Sequence, residues 1–341
     1  MIRDKSYSVK VIFTIILLMV LKTSSVTGAG HVRIGTIGTA APSFSGRKDM
    51  QKVVEEMILF WGNQLKQVLP DKPDVILLPE FFDIPSGFSS KVQEEYIAIR
   101  GDQLQTYLSS IAKKHNCYVA YGTLRRDHAG NLRNSAIMLD RRGDLLGIYD
   151  KNFPTIGEME SGIIAGNKAP VFECDFGRVA MVICFDLNFD ELLEQVADQK
   201  PDLLLFPSMY HGGQMQSNWA YACRSFFVGA ISGKGTLSQI RDPLGEVVAS
   251  TTNYFNYSVA SINLNSELVH LGYNFGKLSA LKAKYGNSVT IKDPGNLGPV
   301  LVSSEDGNLN INQLLREFDI QTLDDYFDSS RKFRLKRGNM N

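Results

Sequence analysis

The hydrophobic pattern of the chain alternates between short apolar runs typical of buried strands and longer runs with helical spacing. Residues 32–38 alternate in polarity as a strand does, and residues 47–69 repeat their apolar positions as an amphipathic helix does. Residues 91–115 predict a second helix. Residues 178–184 form an apolar run that predicts a strand buried on both faces.

Other strand patterns come in pairs joined by turns, which indicates β-hairpins. The remaining predicted strands are 75–80, 117–123, 134–139, 145–149, 172–175, 202–207, 227–232, 237–241, 246–250 and 257–263, and the remaining helices are 189–199 and 214–226. Because strands alternate with helices and also form hairpins, the sequence predicts an α/β fold. We expect a mixed sheet, or two sheets, with helices on the outer faces.

The N-terminal segment has the layout of a secretory signal peptide. Three basic residues precede an apolar run over 11–21, and small residues at 27–29 fit a cleavage site. Eleven residues at ~1.5 Å each are too short for a hydrocarbon core of ~30 Å. We therefore expect residues 1–29 to direct export, with no stable membrane span after cleavage. A membrane anchor and an unusual cytosolic N-terminus are the alternatives.

The rest of the chain divides into one domain and a C-terminal extension. Residues 30–270 carry the strand and helix patterns and are expected to form a single domain. In the extension, 271–341, residues 293–299 indicate extended chain and residues 311–330 one or two short helices. A segment of this size is too small to fold alone, so we expect it to pack on the domain or on a partner subunit.

Charge and cysteine content narrow the classes of function. The 36 basic and 36 acidic residues balance, which argues against a general nucleic-acid-binding protein, and the basic run 331–337 is interpreted as a solvated tail. The four cysteines are Cys117, Cys174, Cys184 and Cys223. Their spacing fits no zinc site, so no metal is expected. The sequence alone does not decide whether disulfides form between Cys174 and Cys184 or between Cys117 and Cys223.

Three predicted strands end in residues that can carry out chemistry together: Glu80, Lys151 and Cys184. Each has an ordinary explanation, as a loop acid, a surface charge and a packed thiol. Together they supply a nucleophile, a carboxylate that takes the thiol proton, and a cation that stabilises an oxyanion. The backbone N–H of Phe185, directly after the thiol, would complete the oxyanion site.

The segments around these residues resemble motifs of the carbon–nitrogen hydrolase (nitrilase) superfamily. They are Leu-Leu-Pro-Glu-Phe-Phe at 77–82, Tyr-Asp-Lys-Asn-Phe-Pro-Thr at 149–155 and Val-Ile-Cys-Phe-Asp at 182–186. The resemblance implies a four-layer αββα sandwich that pairs as a homodimer through helices beside the active site. It also implies that neither a metal nor an organic cofactor takes part.

The resemblance implies a role for each matched position. Glu80 would be the general base, Lys151 the cation that stabilises the tetrahedral intermediate, and Cys184 the nucleophile. Glu158 would be the second glutamate that positions the substrate or the catalytic groups, although Glu160 lies nearby.

Residues 184–191 resemble the amidase branches of the superfamily, except that Asn188 stands where arginine is common and Asp190 where proline is common. We therefore expect hydrolysis of a small amide or N-carbamoyl compound through a thioester. Tyr210 and His211, after another strand, are interpreted as pocket lining or as an ordinary loop. Alternatives are a nitrilase, an amide-forming N-acyltransferase, and a non-catalytic ligand-binding protein with this fold.

Overall fold

The computed structural model describes residues 30–44, 49–233 and 235–338. The expected signal peptide, residues 1–29, lies outside these ranges. Within them, no helix combines the length and the apolar character needed to cross a membrane.

The strands and helices follow the predicted alternation. The strands are β1 (His31–Ile37), β2 (Val75–Leu77), β3 (Tyr118–Arg126), β4 (Leu132–Leu139), β5 (Leu145–Asp150), β6 (Val171–Cys174), β7 (Gly177–Met181), β8 (Leu203–Ser208), β9 (Phe226–Ile231), β10 (Gln239–Arg241), β11 (Val247–Ser250), β12 (Tyr257–Asn263), β13 (Ser266–His270), β14 (Val289–Lys292) and β15 (Pro299–Ser304). The helices are α1 (Met50–Val68), α2 (Ser90–Arg100), α3 (Gln103–His115), α4 (Ile156–Glu160), α5 (Asp190–Ala197), α6 (Met215–Cys223), α7 (Phe275–Tyr285), α8 (Ile311–Glu317) and α9 (Leu323–Gly338).

Two six-stranded mixed sheets form the centre of the molecule. Their strand orders are β12-β1-β2-β3-β4-β5 and β11-β10-β9-β8-β7-β6. The middle of each sheet is parallel, with β1, β2 and β3 in one and β7, β8 and β9 in the other. Because the carboxyl ends of parallel strands share one edge, the residues that follow β2, β7 and β8 are brought to a common rim.

The two sheets pack face to face and are covered on their outer faces by helices. Buried residues of both sheets, such as Ile34 and Leu204, belong to one core, which also takes in Trp219 of α6. A second core joins the outer face of the first sheet to α1 and α3, with Trp61 fully buried. The predicted four-layer αββα sandwich is therefore confirmed.

Three details differ from the predictions. The helix expected over 91–115 is two helices, because Gly101 adopts a φ of +50° that ends α2. The strand expected to reach Cys184 ends at Met181. The strand expected at 257–263 is present at those bounds, but it pairs antiparallel with β1 in the first sheet instead of continuing the hairpin of β10 and β11. Local periodicity carries no information on which sheet a strand joins.

The C-terminal extension contains a third sheet that the sequence did not predict. Its strand order is β13-β15-β14, all antiparallel, so β13, which precedes the expected boundary at 270, pairs within this unit. Asn265 at the junction is buried. Its carbonyl accepts from Ser304 N (2.9 Å), its Oδ1 accepts from Ile311 N (2.8 Å), and its Nδ2 donates to Leu309 O (2.7 Å). The unit also packs on the two-sheet domain through Leu244.

Candidate active site

Glu80 lies three residues beyond β2 and is held against β3. A Cβ at Gly122 would lie 2.6 Å from the Glu80 Cα, so only glycine allows the chain to pass this close. The Gly122 N–H donates to Pro79 O (3.1 Å), and its carbonyl accepts from Phe82 N (3.0 Å). These contacts fix the backbone on both sides of the Glu80 carboxylate, which is 2 % exposed.

Lys151 sits between two carboxylates. Its Nζ lies 3.0 Å from Glu80 Oε1 and 2.8 Å from Glu158 Oε2, and the lysine is 1 % exposed. Burial acts to lower the pKa of Lys151, but the charges of Glu80 and Glu158 outweigh it and hold the pKa above its usual range. Lys151 is therefore a fixed cation at neutral pH. Burial opposes the ionisation of Glu158, yet the lysine beside it leaves the pKa of that carboxyl below its usual value.

Glu158 is aimed at the lysine by the start of α4. Thr155 is the N-cap residue, and its hydroxyl accepts from Glu158 N (3.2 Å). In return, Glu158 Oε2 accepts from Thr155 N (2.7 Å), which completes a capping box. Glu160, the neighbouring candidate, is exposed at the end of the same helix.

Asn134 of β4 is a member of the cluster that the sequence reasoning missed. Its Nδ2 donates to Glu80 Oε1 and to Glu158 Oε1, both at 2.7 Å. Its backbone carbonyl accepts from Lys151 N (2.9 Å). Asn134 therefore joins both carboxylates through its side-chain amide and the Lys151 backbone through its own carbonyl.

Cys184 begins a short 3₁₀ helix, Cys184–Asn188, instead of ending a strand. Its φ of +49° is uncommon for a residue with a side chain and turns the thiol out of the strand direction. The thiol is in hydrogen-bonding contact with Glu80 and Ser208. Burial, together with the Glu80 charge, raises the pKa of the thiol to about 12, although Lys151 acts in the opposite direction. The resting nucleophile is therefore protonated.

The turn that carries the thiol is anchored by Asp186, another residue to which the sequence reasoning gave no role. The carboxylate of Asp186 accepts from Tyr149 OH (2.7 Å), from Ile183 N (2.9 Å) and from Phe153 N (2.9 Å). Burial raises the pKa of this carboxyl to about 6 even so. Tyr149 lies at the end of the strand before Lys151, Phe153 lies in the loop after Lys151, and Ile183 directly precedes the thiol. Asp186 therefore connects these three segments.

The remaining candidates lie around this cluster at different distances. Phe185 is 37 % exposed, and its N–H lies in the first helical turn, where no intrahelical acceptor exists. Tyr210 accepts a hydrogen bond from Asn188 Nδ2 (3.1 Å), and the nearby thiol contributes to raising its pKa, after burial as the main cause. His211 instead interacts with Gln239, so the structure does not bring its imidazole to the thiol.

All four cysteines are free thiols, so neither disulfide left open by the sequence is formed. Cys117 and Cys223 are buried. Burial also raises the pKa of each of these two thiols, Cys117 to about 11 and Cys223 to about 12. What distinguishes Cys184 is therefore its setting beside a carboxylate and a cation, and not an unusually acidic thiol.

The arrangement can carry out acyl transfer. A protonated nucleophile touches a carboxylate that can take its proton, and a permanent cation lies next to both. The Lys151 ammonium and the Phe185 N–H are suited to stabilise the negative oxygen that develops when a thiol adds to a carbonyl.

Comparison with known proteins agrees with this geometry. The chain is 27% identical over 221 residues to omega-amidase NIT2 of Homo sapiens, which covers 61% of this chain and 79% of that protein. An amidase from Nesterenkonia sp. shares the fold with a TM-score of 0.58 at 17% identity, covering 69% of this chain and 91% of that one. Nit3 of Saccharomyces cerevisiae, a member of the nitrilase superfamily, matches with a TM-score of 0.58 at 17% identity, covering 70% and 92%. The family model for carbon-nitrogen hydrolases matches residues 49–268, and the chain therefore belongs to that family.

Proposed function

We propose that this protein is a thiol amidohydrolase that cleaves the C–N bond of a small amide or N-carbamoyl compound. The observation that carries the proposal is the contact between the Cys184 thiol and the buried Glu80 carboxylate, beside Lys151. Membership of the carbon–nitrogen hydrolase family and likeness to proteins named as amidases support it. A non-catalytic binding protein would have no use for a buried thiol, carboxylate and ammonium in contact.

The first half of the reaction forms a thioester. Because the thiol is protonated at rest, Glu80 takes its proton as the sulfur bonds to the substrate carbonyl carbon. The carbonyl oxygen becomes an anion held by the Lys151 ammonium and the Phe185 N–H. The C–N bond then breaks, the proton on Glu80 passes to the nitrogen, and ammonia or an amine leaves.

The second half returns the enzyme to its starting state. Glu80, again a carboxylate, takes a proton from water as the water oxygen adds to the thioester carbon. The oxyanion forms at the same site, the C–S bond breaks, and the sulfur recovers the proton from Glu80. Glu158 and Asn134 keep Lys151 and Glu80 in position throughout.

The decisive experiment measures ammonia release from linear amides, N-carbamoyl compounds and nitriles by the intact enzyme, Cys184→Ala and Cys174→Ala. Cys174 is a half-buried free thiol outside the cluster and serves as the matched control. We expect Cys184→Ala to abolish turnover and Cys174→Ala to retain it. Trapping with a thiol-reactive amide should label Cys184 in peptide mass mapping. Full activity of Cys184→Ala would refute the mechanism, and activity on nitriles alone would replace the amidase with a nitrilase.

We also propose that the enzyme is exported and acts as a homodimer. The basic residues and apolar run of 1–29 support export, and N-terminal sequencing of the native protein tests it.

The family resemblance supports pairing through the helices beside the site, α5 and α6 in this chain. Sedimentation analysis should give twice the mass of the chain, and a monomer that is fully active would overturn the dimer.

A further inference from the structure

Tyr210 carries a hydroxyl proton that none of the described residues accepts. Asn188 Nδ2 donates to Phe185 O (2.9 Å) and to the Tyr210 hydroxyl (3.1 Å). Because a carbonyl oxygen only accepts, the Asn188 amide must present its nitrogen here, and the Tyr210 oxygen is then an acceptor as well. The hydroxyl proton of Tyr210 therefore points away from Asn188, and within the described part of the chain it has no other partner.

Two connections place this phenol beside the nucleophile. Asn188 lies in the same 3₁₀ helix as Cys184 and bonds the hydroxyl end of Tyr210. Ser208 bonds the backbone end, because its hydroxyl donates to Tyr210 O (2.7 Å) and accepts from Tyr210 N (3.0 Å). The buried Ser208 side chain also contacts the Cys184 thiol. Tyr210 is therefore linked to the thiol through Ser208 and to the helix of the thiol through Asn188.

The Tyr210 ring is held in place and stays protonated. The residue is half-buried, and its ring packs edge-on against the buried Phe206, with the ring centroids 6.4 Å apart. Burial is the main cause that raises the pKa of Tyr210, while the hydrogen bond from Asn188 acts in the opposite direction. The charges of Cys184 and Lys151 also act on this pKa, as expected of a phenol close to both. At neutral pH Tyr210 is therefore an uncharged donor beside the catalytic cluster.

We propose that the Tyr210 hydroxyl donates to an acceptor oxygen on the acyl part of the substrate, and that Asn188 positions this hydroxyl. The inference rests on the proposed amidohydrolase function and adds a chemical feature of its substrate. The acyl part stays on the sulfur between the two half-reactions, so a donor linked to the thiol and to its helix can contact it in both. A substrate without such an oxygen displaces water from the hydroxyl without replacing its hydrogen bond, which weakens binding.

The test compares amides that share one skeleton and differ only in the group at its end. 4-Methylpentanamide ends in two methyl groups, 4-oxopentanamide has a carbonyl oxygen in place of one, and succinamate has two carboxylate oxygens in place of both. The same three ends on a skeleton one carbon shorter bring the oxygen closer to the scissile carbonyl. We expect kcat/KM to be about ten-fold higher for an oxygen-bearing compound than for the methyl compound of the same length. The preferred end identifies the acceptor as neutral or anionic.

Tyr210→Phe assigns this preference to the hydroxyl. The change keeps the ring and removes the donor, so we expect the ratio of kcat/KM between the oxygen-bearing and methyl compounds to fall about ten-fold. A mere loss of packing would lower both values by the same factor and leave their ratio unchanged. Tyr273→Phe, at an exposed site, is the matched control and should keep both values. Equal values for oxygen and methyl ends in the natural enzyme, or an unchanged ratio in Tyr210→Phe, would overturn the proposal.

Asn188→Asp tests the positioning role while the Tyr210 hydroxyl is still present. A carboxylate only accepts, so the hydroxyl would turn its proton towards residue 188 and away from the substrate. We expect the ratio for the carbonyl compound to fall about as far as in Tyr210→Phe. For the carboxylate compound, Asn188→Leu removes the bond without adding a charge and should also lower the ratio. Asn167→Asp, at an exposed position, is the control. An unchanged ratio in the Asn188 variants would contradict the positioning role.

Turnover of the methyl compounds separates this inference from the proposed function. If they are hydrolysed and no preference depends on Tyr210, the amidase stands and the inference fails. If no amide is hydrolysed, the proposed function fails, and calorimetric titration of Cys184→Ala with 4-oxopentanamide and 4-methylpentanamide decides the Tyr210 contact. Tighter binding of the oxo compound that is lost on adding Tyr210→Phe supports the contact, and equal binding of the two compounds overturns it.

Discussion

The Tyr149 hydroxyl donates a 2.7 Å hydrogen bond to the Asp186 carboxylate, and both residues are fully buried. Tyr149 stands two positions before Lys151 and Asp186 two positions after Cys184. This single bond therefore joins the segments that carry the cation and the nucleophile, which come from different sheets. The proposed oxyanion site depends on both segments, so we expect this bond to set its dimensions without touching the substrate.

Tyr149→Phe should loosen this connection while preserving the packing of the ring. The buried Asp186 carboxylate loses one of its three donors, so we expect the free energy of unfolding to fall by about 1–3 kcal/mol. We also expect kcat to fall by about ten-fold, because the cation and the thiol are no longer held at a fixed separation. Urea denaturation and steady-state kinetics measure the two effects. Tyr273→Phe, at an exposed site, should change neither, and a Tyr149→Phe enzyme with normal kcat would contradict the role.

Asn134→Ala should reduce activity through the two carboxylates that share its amide. Glu80 and Glu158 each lose a 2.7 Å hydrogen bond from a neutral donor. We expect kcat/KM to fall about 10- to 100-fold, and the acid limb of its pH profile to move to higher pH, because Glu158 loses one of the hydrogen bonds that lower its pKa. The exposed Asn167→Ala is the control. A loss of stability with an unmoved pH profile would show that Asn134 is only structural.

Glu80→Gln should increase the thiolate fraction of Cys184 and decrease turnover. The Glu80 charge is one cause that raises the pKa of Cys184 to about 12, so its removal lowers this pKa and increases the thiolate fraction at any given pH. Turnover should nevertheless fall at least 100-fold, because no group remains to move protons to and from the reacting atoms. Ultraviolet titration of the thiolate, with Cys184→Ala subtracted, measures the first effect. A higher thiol pKa in Glu80→Gln would contradict the electrostatic account.

Glu267 on β13 should make stability depend on pH through the C-terminal unit. Burial, followed by the charge of Asp324, raises its pKa to about 7, with Asp325 acting in the same direction and Lys200 in the opposite one. The folded protein holds this proton more tightly than the unfolded chain does. The protonated Glu267 carboxyl therefore makes its full contribution to the free energy of unfolding at low pH, and this contribution is lost as the pH rises towards 7.

Glu267→Gln should remove that dependence. We compare the free energy of unfolding of the variant with that of the natural protein at pH 4.5 and at pH 8, by urea denaturation. We expect this difference to shift by about 2 kcal/mol in favour of the variant on going from pH 4.5 to pH 8. Glu55→Gln, at an exposed position of α1, is the control. A difference between variant and natural protein that is the same at both pH values would argue against a proton held at Glu267.

The order of strands and helices was predictable because it depends on local periodicity and turn residues. The strand ends near Glu80 and Lys151 were predicted for the same reason. What local sequence does not contain is contact between distant residues: Asn134 lies 54 positions from Glu80, and Tyr149 lies 37 positions from Asp186. The strand before Cys184 was predicted too long. An apolar run has the same composition whether all its residues pair in the sheet or the chain leaves the sheet after Met181.

The third sheet was missed because its strands are short and two of them follow stretches that resemble loops. β14 has four residues, and β15 begins at a proline in a segment rich in glycine and asparagine. Such strands are defined by the partner they pair with rather than by their own composition.

The junction at Asn265 has a consequence for anyone shortening this enzyme. Among the described residues, the hydrogen-bond partners of its backbone carbonyl and of both ends of its side-chain amide are Ser304, Ile311 and Leu309, 39 to 46 positions further along the chain. A gene fragment ending at the family match, residue 268, would leave these buried groups without partners and strip β13 of its neighbour. The smallest autonomous catalyst is therefore expected to extend past residue 311.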